Sequence, residues 1–181
     1  MSIQLNLHTL EQKTLLDTPW CKKLFRHMII SNKYVTIEFH NTPKSISKFL
    51  EQLESKLEKF RTYFDLKEIF AEVSFLSPLE IKDVNKQFRD KDNPTNVLAF
   101  PSEQPTKVIN KCHGEVLICA EILIQESLEQ GKKLEHHFSH LLFHALLHLV
   151  GYMHDKEEDA IFMENKETNF LKSIGIDNPY K

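Results

Sequence analysis

Three histidines in the last third of the chain have a spacing that could hold a metal ion. His144, His148 and His154 belong to the pattern His-x-x-x-His-x-x-Gly-x-x-His. Residues four apart lie on one face of a helix, about one turn from each other, so the first two imidazoles can reach a common point. Gly151 can adopt the left-handed conformation that ends a helix and turns the chain back. The third imidazole would then face the other two, and we predict a metal site with these three ligands.

Zinc is the metal that this ligand set favours. Three protein ligands plus a water molecule are typical of catalytic zinc, and neutral imidazole is a common ligand. Zinc lowers the pKa of its bound water toward about 7 and can polarise a phosphoryl oxygen. We therefore expect one zinc ion per chain, although three imidazoles also accept nickel or copper. A structural zinc site would need a fourth protein ligand, and no cysteine lies close to these histidines in the sequence.

The helix that carries the first two histidines is apolar nearly all round. The residues that follow the helical period are Phe138, Leu141, Leu142, Ala145 and Leu149. Such a helix belongs inside a domain, where a histidine needs a hydrogen-bond partner or a metal. His140 is expected just behind the metal ligands, whereas His136 and His137 are expected to be solvated.

The same histidine spacing occurs in metzincin peptidases, which carry a glutamate after the first histidine as the general base. Ala145 occupies that position here. The metal ligands of such a peptidase are therefore present and its base is not, which argues against peptide hydrolysis by that route.

Composition indicates one globular domain. The chain has 181 residues, of which 41% are hydrophobic, so it can bury a sizeable core. Its net charge of −3 offers no general attraction to nucleic acid, and an RNA partner would need a local basic patch. The odd number of cysteines, Cys21, Cys112 and Cys119, favours free thiols in a reducing cytosol. Cys112 beside His113 lacks the second pair that a zinc site would require.

The sequence predicts a cytoplasmic protein. No segment reaches the roughly 18 consecutive apolar residues of a membrane span. The N-terminus lacks the charged start and apolar run of a signal peptide.

Strands and helices alternate irregularly along the chain. Side-chain alternation predicts strands over residues 34–39, 70–76, 96–100 and 114–119, and helical spacing predicts helices over 43–60, 77–88, 122–130 and 157–171 beside the histidine helix. Ser77 and Glu80 have the spacing of a capping box. We predict a single α+β domain over residues 33–181, with a small mixed β-sheet and a buried histidine-bearing central helix. Residues 1–32 form an extension of unknown role, in which apolar residues from Leu10 to Met28 could make an amphipathic helix.

A second motif changes what the histidines imply. Residues Arg89 to Pro101 read Arg-x-Lys-Asp-x-Pro-Thr-Asn-Val-Leu-x-Phe-Pro. With the histidine motif, this stretch resembles the YbeY-type metallo-endoribonucleases, which mature ribosomal RNA in bacteria. The resemblance covers roughly residues 33–180. It implies hydrolytic cleavage of single-stranded RNA, including the 3′ end of the small-subunit (16S) ribosomal RNA precursor, and a part in ribosome quality control. The implied partners are ribosomal RNA and the small ribosomal subunit, with no DNA and no membrane.

The chain departs from the family pattern at four positions within these motifs. Ala145 and Asp90 replace glycines, and Ala99 replaces a serine. Met153 replaces an aspartate and so removes a carboxylate next to the last histidine. Asp155, on the other side of that histidine, could take over the role of this carboxylate.

Arg89 is the candidate catalytic residue. A guanidinium binds phosphate oxygens in a two-pronged way and offsets negative charge that builds in the transition state. The competing interpretation is a surface salt bridge with Asp90 or Asp92. The candidates for tracking an RNA backbone are Lys86, Lys91, Lys107, Lys111, Lys132 and Lys133. Two other functions stay open: a zinc-dependent peptidase of metzincin-like type, and a non-catalytic ribosome-associated protein that needs zinc only for its fold.

Overall fold

A five-stranded mixed sheet organises the part of the chain that the computed structural model describes, residues 26–103 and 108–180. The strands are β1 (Arg26–Ser31), β2 (Val35–Thr42), β3 (Glu68–Phe75), β4 (Val97–Pro101) and β5 (Lys111–Ile118). Their order in the sheet is β1-β2-β3-β5-β4. The three central strands β2, β3 and β5 are parallel, and the edge strands β1 and β4 pair antiparallel to their neighbours.

Six helices connect and cover these strands in the described ranges. They are α1 (Lys44–Leu50), α2 (Leu53–Tyr63), α3 (Pro78–Arg89), α4 (Ala120–Glu129), α5 (Leu134–Val150) and α6 (Glu157–Ser173). None of these helices combines the length and the apolar content that crossing a membrane requires.

The main core lies between one face of the sheet and the central helix α5. Alternate residues of β2, namely Val35, Ile37 and Phe39, are fully buried on that face. From the helix, Phe138 and Phe143 are fully buried against them in the same cluster. Full burial of such a side chain stabilises the fold by about 1.5–3 kcal/mol. The all-round apolar pattern of α5 therefore places it inside the domain, as predicted.

Gly114 allows α5 to pack directly against the sheet beside the histidines. A Cβ added at this position would overlap the carbonyl oxygen of Phe100 in β4 and would lie 2.8 Å from a methyl carbon of Leu149 in α5. A side chain on β5 at this point would therefore push the last turn of α5 away from the sheet. That turn carries His148.

A smaller cluster lies on the opposite face of the sheet. Helix α3 buries Ile81 against Leu98 of β4 and Leu117 of β5. The helix begins with the predicted capping box: the Ser77 hydroxyl accepts from the Glu80 amide at 3.4 Å, and the Glu80 carboxylate accepts from the Ser77 amide at 2.8 Å. This helix ends at Arg89 and so positions the candidate catalytic residue.

The α+β prediction with a buried histidine helix is confirmed, and the element boundaries differ from it in two places. The helix predicted over residues 43–60 is two helices, which are separated at Glu51 and Gln52. Gln52 has φ −102° and ψ 0°, outside the helical range, so the chain bends there although the apolar spacing continues through it.

The sheet also begins before the predicted domain boundary at residue 33. Strand β1 was not predicted, and Met28, which was placed at the end of an amphipathic helix, lies in this strand opposite Phe39. The rest of that predicted helix falls on residues outside the described ranges. Strand β1 extends the described sheet to Arg26, because it pairs with β2 between Arg26 and Ser31.

Candidate metal centre

The last turns of α5 present two of the predicted ligands on one face. His144 and His148 are four residues apart in the helix, and their ring centroids lie 4.7 Å from each other. The side chain of His144 is 21% exposed, so the pair lies at the edge of the core rather than in it. The apolar residues on the other faces of α5 fix the helix and leave these two rings facing a common point.

Gly151 ends the helix and brings the third histidine back. It has φ 103°, and the amide of Tyr152 donates to the carbonyl of Leu147 at 3.0 Å, closing a left-handed C-terminal turn. The His154 ring then lies 5.6 Å from that of His144 and 4.8 Å from that of His148. The structure therefore brings together the three histidines that the sequence singled out.

The Nδ1 atoms of His144 and His148 form hydrogen bonds outside the histidine group, and the Nε2 atoms of the two rings face each other. Nδ1 of His148 donates to the carbonyl oxygen of Tyr152 at 2.9 Å, and Nδ1 of His144 donates to the carboxylate of Glu167 at 3.2 Å. Both acceptors lack a hydrogen to give, so each Nδ1 must carry one. A neutral imidazole carries only one such hydrogen, so both Nε2 atoms present lone pairs.

The two Nε2 lone pairs face each other at 3.1 Å. With no hydrogen between them they repel, and a cation bound by both nitrogens removes this repulsion. Burial, followed by the nearby His144, lowers the pKa of His148 to about 4, so His148 itself is uncharged near neutral pH. Two nitrogens bound to one tetrahedral zinc lie about 3.3 Å apart. The site therefore fits zinc, and the candidate ligand atoms of His144, His148 and His154 all lie within 4.8 Å of one another.

Glu167 is a site residue that the sequence reasoning missed. Its side chain is fully buried, and besides His144 it contacts the Tyr180 hydroxyl at 2.5 Å and Nε2 of His140 at 3.4 Å. Burial is the largest influence on its pKa and raises it, but the hydrogen bond and charge of His144, with His140 and Tyr180, lower the pKa below the ordinary value. The signal in the sequence was its place in the apolar row of α6, between Met163 and Phe170.

Three residues around the proposed ligands were given a place from the sequence. His140 lies behind the ligands, as expected, where burial above all lowers its pKa to about 4. His137 was expected to be solvated, and this is wrong: it is 4% exposed, because its Nε2 lies 2.8 Å from the Glu126 carboxylate. Asp155 was considered as a replacement for the carboxylate absent at Met153. It is exposed, and the carboxylate that hydrogen-bonds a ligand histidine is Glu167 instead.

Arg89 lies at the end of α3 with its guanidinium directed to the sheet. Its Nη2 donates to the carbonyl oxygen of Ala99 in β4 at 3.4 Å. Its positive charge is also among the influences that lower the pKa of His148. The competing salt bridge is not formed, since Asp92 pairs with Lys82 and Lys86 at 3.3 and 3.0 Å. Within the described ranges the guanidinium of Arg89 has no carboxylate partner.

The loop after Arg89 is held by residues that were not predicted as functional. Asp90 has φ 58° and ψ 28°, the left-handed conformation that favours glycine, which accounts for the family's glycine at this position. Asn85 is 3% exposed, and its side-chain amide donates to the carbonyl of Asn93 at 2.8 Å. These two residues fix how the loop leaves α3 and therefore where Arg89 points.

Three of the five described lysines that were proposed for the RNA backbone have partners of their own. Lys86 pairs with Asp92, Lys111 with Glu68 at 3.4 Å, and Lys132 donates to the carbonyl of Pro179 at 2.6 Å. Lys91 and Lys133 are exposed and form no ion pair with another described residue. Lys107 lies outside the described ranges.

Neither described cysteine takes part in the site. Cys112 is fully buried in the main core, where its thiol donates to the carbonyl of Leu146 at 3.6 Å and burial raises its pKa. Cys119 is buried in the smaller cluster. Both are free thiols, as the sequence predicted.

A second histidine group lies at the β1–β2 edge of the sheet. Its members are His27, Glu38 and His40, whose candidate ligand atoms also lie within 4.8 Å of one another. The two rings stack at 4.9 Å, and each points at its own carboxylate: His27 at Glu38, 3.2 Å away, and His40 at Glu72, 3.7 Å away.

Comparison with known proteins connects this geometry with a family. The sequence model of the family described as Endoribonuclease YbeY matches residues 29–175. A protein of the same description from Vesicomyosocius okutanii is 44% identical over 108 residues, which are 60% of this chain and 74% of the relative. Another from Ruthia magnifica is 36% identical over 143 residues, which are 79% of this chain and 89% of the relative. The solution structure of TM1509 from Thermotoga maritima aligns with a TM-score of 0.57 and 28% identity, covering 77% of this chain and 88% of that one.

Proposed function

The chain belongs to the YbeY endoribonuclease family, and from this we propose that it is a zinc-dependent endoribonuclease that cuts single-stranded RNA. Its substrate in the cell would be ribosomal RNA, at the 3′ end of the small-subunit precursor, with a further part in ribosome quality control. It would act in the cytoplasm on or near the small ribosomal subunit. The observation that carries the proposal is the pair of Nε2 atoms of His144 and His148 that meet 3.1 Å apart with His154 beside them.

The metal site and Arg89 have different roles in phosphodiester hydrolysis. His144, His148 and His154 would hold the zinc, which supplies Lewis-acid activation of a water molecule and a phosphate oxygen. The guanidinium of Arg89 lacks a carboxylate partner in the described ranges and is therefore available to a phosphate. Its charge offsets the negative charge that builds on the phosphate in the transition state.

Single-stranded RNA fits this site better than a duplex. His144 and His148 are partly buried, His154 is exposed, and a pocket of about 320 Å³ lies directly beside His144 and His154. A flexible strand can bend its backbone toward such a recess, whereas a stiff A-form helix cannot. Because few unpaired lysines surround the site, we expect a modest contribution of backbone charge to binding and a correspondingly modest salt dependence.

The peptidase alternative is disfavoured by Ala145 and by the position of Glu167. Ala145, where a metzincin carries its general base, is 1% exposed and packed in the core. Glu167 contacts Nδ1 of His144, on the side of the ring opposite to the nitrogen that faces the centre. Neither residue can take a proton from a water molecule at the metal and pass it to a leaving amine.

The structural-zinc alternative requires a fourth protein ligand. In the described ranges, the group that contains the three histidines has no fourth member, and the two described cysteines are buried elsewhere. A site with three protein ligands and one open position is the arrangement of catalytic zinc.

Substrate comparison with the zinc-loaded protein tests the proposal. We expect cleavage of single-stranded RNA, slower cleavage of duplex RNA and no cleavage of casein. His148→Ala should abolish the reaction, whereas His136→Ala, a half-buried histidine of the same helix outside the metal site, should leave it within about twofold of wild type. Casein cleavage without RNA cleavage would support the peptidase, and zinc binding without any hydrolysis would support the structural role.

A further inference from the structure

The buried carboxylate of Glu167 connects the metal site to the C-terminal end of the chain. Its Oε2 accepts two hydrogen bonds, from Nδ1 of His144 at 3.2 Å and from the hydroxyl of Tyr180 at 2.5 Å. Its Oε1 has no hydrogen-bond partner and lies 3.4 Å from Nε2 of His140. A fully buried carboxylate is costly unless it is paired, so an arrangement of this kind calls for a function.

The C-terminal segment is fixed over this carboxylate by separate contacts. The Tyr180 ring packs edge-on against His140 with centroids 5.6 Å apart. Lys132 donates to the carbonyl of Pro179 at 2.6 Å, and the amide of Tyr180 donates to the side chain of Asn178 at 2.9 Å. Tyr180 also lines the pocket beside His144 and His154. These contacts hold the hydroxyl against Oε2 of Glu167.

A carboxylate at the outer nitrogen of a histidine ligand has a defined effect on the metal. It fixes the tautomer with hydrogen on Nδ1, orients the ring and raises the basicity of Nε2. Here the Glu167 contact determines that Nε2 of His144 presents its lone pair to His148. The Tyr180 hydroxyl in turn holds the carboxylate oxygen that makes this contact.

We propose that Glu167 and Tyr180 are positioning residues for His144, so that the C-terminal end of the chain completes the metal site. Neither residue touches the substrate's reacting atoms in this role. The inference rests on the three-histidine metal site of the proposed function, but it does not depend on which substrate is cut.

Zinc affinity, measured by competition with a chelator, tests the proposal. Glu167→Gln removes the charge and should weaken zinc binding by about 10- to 100-fold, the usual cost of losing such a partner. Tyr180→Phe keeps the ring against His140 and removes only the hydroxyl, so it should weaken zinc binding by a smaller factor, about threefold to tenfold.

Glu126→Gln is the matched control. Glu126 is a carboxylate that contacts His137 of the same helix at 2.8 Å and also accepts from Asn96, but His137 is not a metal ligand. Its replacement disturbs a comparable carboxylate–histidine pair and should leave zinc affinity within about twofold. The melting temperature of the metal-free proteins and the visible spectrum of the cobalt-substituted forms complete the measurement. We expect an altered cobalt spectrum for the Glu167 and Tyr180 variants only.

The outcomes separate this inference from the proposed function. Wild-type zinc affinity in both Glu167→Gln and Tyr180→Phe would overturn it, as would a loss matched by Glu126→Gln, because the effect would then be one of stability. If Glu167→Gln fails to fold, Tyr180→Phe decides, since it removes a single oxygen atom. A wild-type protein that binds zinc but cuts no RNA would overturn the proposed function and leave the positioning role intact.

Discussion

Two separate histidine groups in the described structure have similar compositions and different geometries. Both bring three potential ligands within 4.8 Å of one another. In the group at the end of α5, the partners of His144 and His148 occupy the outer Nδ1 atoms and turn both lone pairs inward. In the group at the β1–β2 edge, the Nε2 atoms of His27 and His40 point at two different carboxylates. The proposed metal site therefore differs from the edge group in its outer hydrogen bonds, which direct two ring nitrogens to one point, and not in the closeness of its ligand-type residues.

Burial is the second difference between the groups. His144 is 21% exposed and its carboxylate partner is fully buried, whereas His27 and Glu72 are each 51% exposed. Water can satisfy the polar atoms of the edge group, and its ion pairs are screened. In the group at α5 the Glu167 carboxylate is closed to water, so its interactions with His144 and His140 are screened less.

Removal of a ligand should give the largest difference between the two groups. His148→Ala should reduce the zinc content from about one ion per chain to a small fraction, because two ligands cannot retain the ion against a chelator. The same change at the edge group, His40→Ala, should leave the zinc content at about one. Elemental analysis of the two purified variants measures this, and retention of a full equivalent of zinc in His148→Ala would show that the site lies elsewhere.

Lowering the pH should destabilise the protein, because His140 and His148 of α5 are largely buried. The pKa values of His140 and His148 are lowered to about 4, chiefly by burial, so between pH 6.5 and 4 the unfolded chain binds protons that the folded chain does not. The stability that these groups contribute is therefore present above pH 6.5 and is lost as the pH falls toward 4. We expect the free energy of unfolding of the metal-free protein to fall by up to about 3 kcal/mol for each group.

Urea unfolding of the metal-free protein at pH 7 and pH 4.5 measures this loss. In His140→Leu the apolar side chain cannot take up a proton, so the difference between the two pH values should be smaller than in wild type. Equal differences in wild type and His140→Leu would mean that the burial of His140 does not govern the acid response.

Replacement of Arg89 should lower RNA turnover without changing the metal content. Arg89→Lys keeps the positive charge and loses the two-pronged donor, so we expect RNA turnover to fall by about 10- to 30-fold, the equivalent of about 1.4–2 kcal/mol. Zinc content and melting temperature should stay at the wild-type values, because the one hydrogen bond to Ala99 is long, at 3.4 Å. Wild-type turnover in Arg89→Ala would show that this residue is a surface charge without a role in catalysis.

The predictable part of the site was the part encoded by local spacing. His144 and His148 belong to one helix, so helical geometry alone brings their imidazoles together, and Gly151 ends that helix. Glu167 and Tyr180 come from α6 and the segment after it, and their contact with His144 depends on how α6 packs, which periodicity does not report. The one local signal was a carboxylate in an apolar row of α6, which conflicts with the helical pattern and so marks a functional position.

The fold shows the same division. The mixed order of strands and helices predicts the α+β class, and apolar alternation predicts the central strands β2 and β3. Edge strand β1 was missed because half-exposed strands carry a weaker pattern, and its residues lay next to an apolar series that also fits a helix. The break at Gln52 has no Gly or Pro to mark it.

The smallest expected effect is at the edge group itself. His40→Gln removes an imidazole whose partner Glu72 is 51% exposed at a distance of 3.7 Å, together with a stacked contact to His27. An exposed pair of this kind contributes less than about 1 kcal/mol, so the melting temperature should shift by no more than a few degrees. Zinc titration of His40→Gln should match wild type in both stoichiometry and affinity, because the Nε2 atoms of His27 and His40 face separate carboxylates. A second zinc ion in the wild type that disappears in His40→Gln would show that exposed ligands can reorient around a metal at little cost. The outer hydrogen bonds at α5 would then be a refinement of affinity rather than the condition for binding.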